Sequence, residues 1–110
     1  MPGKYYQANR EMERLVLSTT GISILNDSDP VVVTCSKSIA EKFNHTEKEV
    51  ARQYRRHCNA VRRAAKYLNE HDCTDSEAAN LFHVKVSKLR RYLSECRTRS
   101  LAKHFRRMNQ

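Results

Sequence analysis

An all-α fold, a compact helical bundle, is what three features of the sequence predict. The chain of 110 residues has only 2 Gly and 2 Pro, too few for the repeated turns of a sandwich or barrel. It has no Trp and 7% aromatic residues, so the strand-forming side chains of such folds are missing too. Apolar residues instead recur three and four apart, the period of a helix with one buried face. The length allows one domain or two very small ones. No run approaches the ~20 apolar residues of a bilayer span. The start, with Lys4, Tyr5 and Tyr6, lacks the apolar core of a signal peptide. An intracellular chain is therefore expected, nuclear in a eukaryote and in the cytoplasm or nucleoid of a bacterium or phage.

In residues 1–34, Tyr5, Ala8, Met12, Leu15 and Val16 mark one face of a first helix. Gly21 suits the left-handed position that ends it. Asn26 to Pro30 reads as a turn, and Val31, Val32 and Val33 as a short extended segment near 31–34, an arm rather than part of a sheet. Three S/T-x-x-E capping boxes follow, in which hydroxyl and carboxylate satisfy orphaned backbone N–H groups: Ser38 with Glu41, Thr46 with Glu49, and Thr74 with Glu77. For the first of them Thr34 or Ser36 is an alternative cap. After Thr46 the apolar positions Val50, Tyr54, Cys58, Val61, Ala65 and Leu68 predict one helix over 46–70, about 36 Å long at the helical rise.

Charge is segregated along the chain. Residues 1–34 carry three Lys and Arg against four Asp and Glu, whereas residues 35–110 carry 18 against 8, within a total of +9. Such an excess on one part of a chain points to a polyanion, and solubility alone does not require it. On the long helix Arg52, Arg55, Arg56, Arg62, Arg63 and Lys66 form a second stripe, and between Glu49 and Glu70 no acid is present to pair with it. The stripe is expected to lie along phosphates.

Residues 73–96 carry the functional expectation. Thr74 caps a helix with the small pair Ala78 and Ala79, and a turn follows at His83 and Val84. A second helix then points Val86, Leu89 and Leu93 inward, leaving Lys85, Ser87, Lys88, Arg90 and Arg91 outside. This is a helix-turn-helix pattern, whose second helix enters a major groove; the competing reading is an αα-hairpin with a basic outer face. Ser76, Ala78 and Ala79, Phe82-x-Val84, and Ser87-x-Leu89-Arg90-Arg91, preceded by Val61 to Ala65, resemble the pipsqueak- and transposase-type helix-turn-helix over residues 60–95. That resemblance implies a homeodomain-like trihelical fold that binds DNA. The sequence departs from the family at the turn, where His83 must take a conformation that glycine accepts more readily.

A related unit precedes it. At an offset of 38, residues 35–68 and 73–106 share eight identities in 34, among them Cys35/Cys73, His45/His83 and Tyr54/Tyr92; an offset of 39 instead pairs Ala40/Ala79, Phe43/Phe82 and Val50/Leu89. An internal duplication, as tandem units 35–68 and 57–107, is expected, with its register open. Residues 31–56, with Ile39 to Phe43 running through to Val50, resemble the phage Rha-type regulatory proteins. Glu47 and Glu49 make this unit a poor reader of acceptor-rich DNA.

The organisation expected is thus an N-terminal helix and arm over 1–34 and a basic helical DNA-binding domain over 35–110. Lys85, Ser87, Lys88 and Arg91 are the expected base contacts. Arg52, Arg55, Arg56, Arg62, Arg63, Lys66, Arg90 and, on a last short helix, Arg97, Arg99, Lys103, Arg106 and Arg107 are the phosphate contacts. Double-stranded DNA is the expected partner, with a homodimer through the N-terminal segment left open; no membrane and no small-molecule ligand is expected. The function expected is that of a sequence-preferring regulator or a mobile-element or phage DNA-binding protein. The alternatives are an RNA-binding or ribonucleoprotein-assembly protein and a basic protein-interaction module. No metal is expected, since the four Cys and five His form no C-x2-C or H-x3-H knuckle, and the Cys are expected as free thiols. No cofactor and no enzyme is expected, for want of a glycine-rich phosphate loop, paired carboxylates or a nucleophile–base pair.

Overall fold

Five α-helices make up the computed structural model, which describes residues 3–108 and, of their side chains, those of residues 3–98. They are α1 (Tyr6–Thr20), α2 (Pro30–Phe43), α3 (Glu47–Glu70), α4 (Asp75–Leu81) and α5 (Val86–Met108); among the described residues there is no strand. The protein is all-α, and no described helix is long and apolar enough to cross a membrane. The chain divides into two units, Met1–Asn59 and Ala60–Gln110, with the boundary inside α3.

In the first unit α1 buries Ala8, Met12 and Val16, one side chain per turn. It ends where Gly21 takes φ 74 and its N–H bonds the Leu17 carbonyl at 2.7 Å. The extended segment expected near 31–34 is not formed; those residues are the first turn of α2. Asp29 Oδ1 accepts the Val31 N–H at 2.9 Å and Pro30 holds the first helical position, where the missing N–H costs nothing. Val32, Cys35, Ser36, Ile39 and Ala40 are then buried, and α2 packs on α1. Thr34, Ser36 and Ser38 therefore lie inside a helix and cap none. The hydroxyls of Thr34 and Ser36 donate back to the carbonyls of Pro30 and Val32.

Thr46 opens α3, its Oγ1 accepting the Glu49 N–H at 3.1 Å, and nothing interrupts the helix for 24 residues. Val50, Tyr54 and Cys58 close the first core. The buried Tyr54 hydroxyl donates to the Ser23 carbonyl at 2.8 Å and accepts the Leu25 N–H at 3.2 Å, pinning the loop between α1 and α2. In the second unit Ala64, Ala65, Ala78, Ala79 and Leu89 form the core, flanked by Tyr67, Phe82 and Tyr92. Both halves of the Thr74–Glu77 capping box are made. No separate last helix exists, because with no Gly or Pro after Val86 the backbone of α5 runs unbroken to Met108.

The turns between α2 and α3 and between α4 and α5 are the same structure. His45 N–H bonds the Ala40 carbonyl and Val84 N–H that of Ala79, both at 2.9 Å; Asn44 and His83 N–H bond Glu41 and Asn80 at 3.5 and 3.2 Å. Each is a Schellman closure, with Asn44 and His83 left-handed at φ 56 and 57. Neither position is glycine, and an L-residue there costs energy that Asn relieves better than His. His83→Gly is therefore expected to raise stability by about 0.5 to 1 kcal/mol and Asn44→Gly by less, read from urea midpoints at unchanged slope.

Two thiols, Cys35 and Cys73, set an alkaline limit. Burial pushes the Cys35 thiol above its ordinary 9.0, against a smaller pull from Thr19; desolvation, then the carboxylates of Glu77, Asp72 and Asp75, push Cys73 up. The folded chain thus holds these protons more tightly than the unfolded one. The stability this gives is complete below 9.0 and lost as pH rises through the raised values. Denaturation midpoints should fall above that pH; midpoints that climb there would contradict the assignment.

Candidate nucleic-acid interface

The two units divide the charge unequally. The first holds nine Lys and Arg against seven Asp and Glu, the second twelve against five. The first unit also turns its cations on its own acids: Lys42 Nζ lies 2.6 Å from Glu11, while the His57 ring Nε2 lies 3.2 Å from Glu13. Arg52 Nη1 lies 3.8 Å from Glu49 Oε2, and Arg55 Nη1 3.3 Å from Asp27 Oδ2. The acid-free stripe expected from sequence is thus partly paired here, by an acid one turn earlier and by one from a distant loop. Arg56 stays exposed without an ionic partner among the described residues.

In the second unit, the start of α5 differs from the starts of α3 and α4. Glu47 and Glu49 lie in the first turn of α3, and Asp75 and Glu77 in that of α4; α5 has no acid there. Its first turn is closed by the Lys88 and Leu89 N–H groups on the Lys85 carbonyl, at 3.0 and 3.3 Å. Leu89 is fully buried and Val86 and Leu93 pack on the same core. That phase leaves Lys85, Ser87 and Arg91 exposed and Lys88 half-buried. Lys85 stands at the positive end of the helix dipole with no acid in the first turn, an unfavourable placement that an anion lying against it would offset.

The remaining cations of this unit fall into three groups. Arg63, Lys66 and Arg97 are exposed, with no ionic partner among the described residues. Arg62 and Arg90 are engaged. Arg90 Nε donates to Asp75 Oδ2 at 3.3 Å, tying α5 to α4. Arg62 reaches the Tyr92 hydroxyl: burial and then Cys96 push that phenol above its ordinary 10.0, and Arg62 pulls it partway back. Arg99, Lys103, Arg106 and Arg107 lie outside the residues whose side chains are described. Of the neighbours Leu81 and Phe82, either of which the sequence allows to face the core, Phe82 packs against it and Leu81 is left 54% exposed at the end of α4. Among the described residues no three His, Cys, Asp or Glu gather where a metal ion could sit.

Fold and charge together define an all-α, two-unit protein whose second unit carries most of the positive excess. Comparison of the chain with known protein families, characterised proteins and solved structures returned no match.

Proposed function

We propose that the second unit binds double-stranded DNA as a helix-turn-helix, with the first turns of α5 in the major groove. On this reading the chain serves as a small sequence-preferring regulator or a mobile-element DNA-binding protein. The observation that carries the reading is the start of α5, where Lys85 and Lys88 lie at a first turn that holds no acid and Arg91 stays exposed in the turn that follows. At this end of the helix the dipole adds to the pull of Lys85 on phosphates, and cations of this helix match the acceptor-rich edge of guanine. The resemblance of residues 60–95 to pipsqueak- and transposase-type domains points the same way. Lys85, Ser87, Lys88 and Arg91 would meet base edges; Arg63, Lys66, Arg97 and the cations of the C-terminal segment would hold the backbone.

Titration of a labelled duplex with the full chain at increasing salt tests this. Seven phosphate contacts give a log–log slope of about −6, and an affinity independent of salt would exclude the proposal. Competition with a structured RNA decides the RNA alternative. Duplex DNA should win, because single-strand readers stack bases on exposed aromatic side chains, and Tyr67, Phe82 and Tyr92 are spent on the core of this unit.

A further inference from the structure

We infer that the first unit is a second reader of duplex DNA with inverted chemistry, favouring a cytosine edge through Glu49. The inference rests on the DNA-binding reading of the second unit and extends it to a surface that charge alone would dismiss.

The register of the two units carries it. The turn hydrogen bonds place Ala40 with Ala79, Asn44 with His83 and His45 with Val84, an offset of 39 residues. Exposure follows that register: from 39 to 44 the run of buried, exposed and half-buried residues is the same as from 78 to 83. Val50 and Leu89, the core residues of the helix after the turn, are both buried, at 2% and 0% exposure. Shared backbone, turn and phase fix which side chains of α3 occupy the outward positions of α5. Thr46 stands for Lys85, Lys48 for Ser87, Glu49 for Lys88 and Arg52 for Arg91.

Three of these four are exposed in each unit, and the fourth, Glu49 or Lys88, is half-buried in both. Glu49 is also held in place: its Oε1 accepts Gln53 Nε2 at 3.4 Å and its Oε2 faces Arg52 Nη1 at 3.8 Å. A fixed carboxylate can only accept hydrogen bonds. On the major-groove edge of a G·C pair the matching donor is the cytosine amino group, and the neighbouring O6 and N7 of guanine match Arg52. The pair of Glu49 and Arg52 therefore complements both halves of a C·G step, where Lys88 and Arg91 complement guanine alone. With nine cations against seven acids, the first unit has little hold on phosphates. Its contribution is selectivity, exercised once the second unit holds the duplex.

Selection from a pool of random duplexes by the full chain tests this. The parent chain is expected to enrich two separated elements, one rich in guanine and one containing cytosine. Lys88→Ala should flatten the first. Glu49→Ala should lower discrimination for cytosine at one position of the second, on the order of tenfold. Glu49→Gln, an isosteric change on a helix surface, should move that position from cytosine to adenine, because an amide pairs with adenine N6 and N7. A purely structural role for Glu49 predicts no such change of base. If Glu49→Gln selects the same sequences as the parent while Lys88→Ala loses its element, the inference fails and the function of the second unit stands. If the parent enriches no duplex, both fail.

Discussion

Changing Lys88 and Arg91 to alanine together is expected to bring the affinity for the preferred duplex down to that for arbitrary duplex, a loss on the order of a thousandfold. Each would forfeit one base contact, and two such losses at separated positions add. The fold should survive, because Arg91 is exposed and Lys88 only half-buried. Changing Arg63 and Lys66 to alanine should behave differently. Both are exposed and free of ionic partners among the described residues, so as phosphate contacts they would weaken binding to all duplexes alike and flatten the log–log salt slope by about two. Electrophoretic or anisotropy titrations with one preferred and one scrambled duplex separate the two behaviours. Equal losses on both duplexes for Lys88 and Arg91 would reduce α5 to a source of field and remove its role as reader.

The all-α fold was legible in the sequence wherever one signal stood alone. Thr46 as a cap and an apolar seam free of Gly and Pro predicted α3 over 46–70, against Glu47–Glu70 observed. The start of α2 was not legible, because its signals conflict. Asp29 before Pro30 marks a turn as readily as it marks a helix cap, and three consecutive valines favour a strand. Packing decides between them: as a helix the segment buries Val32, Cys35, Ser36 and Ile39 against α1. The offset between the repeats was ambiguous for a related reason. The register of 38 collects identities such as Cys35/Cys73 and Arg52/Arg90, while the backbone follows 39, where Ala40/Ala79 and Val50/Leu89 share burial. Core size and turn geometry constrain a fold more than surface identity does. Partners such as Asp27 for Arg55 were out of reach, since residues 28 apart in sequence meet only through tertiary structure.

Leu89→Ala is expected to be the most damaging single truncation in the second unit, costing about 3 to 4 kcal/mol. Leu89 is fully buried, and its buried neighbours are Ala64, Ala65, Ala78 and Ala79. Alanines let helices approach closely, but they have no rotamers with which to fill a gap, so most of the cavity would stay open and the cost would lie near the middle of the usual range. The loss also falls on an element with little stability of its own. With 7 residues, α4 is far below the length at which an isolated helix persists in water, and the capping box contributes only about 1 kcal/mol. Its position against α5 depends on the contacts Leu89 makes. Urea denaturation followed by helical circular dichroism measures the cost, and hydrogen exchange at the Val84 amide, bonded to Ala79 at 2.9 Å, reports whether the turn opens with it. Leu81→Ala is the matched control: the same chemical change at a side chain 54% exposed should stay within about 0.5 kcal/mol. A Leu89→Ala variant as stable as the Leu81→Ala variant would mean that α5 is not anchored in this phase. Lys85, Ser87, Lys88 and Arg91 would then lose the geometry that aims them outward together.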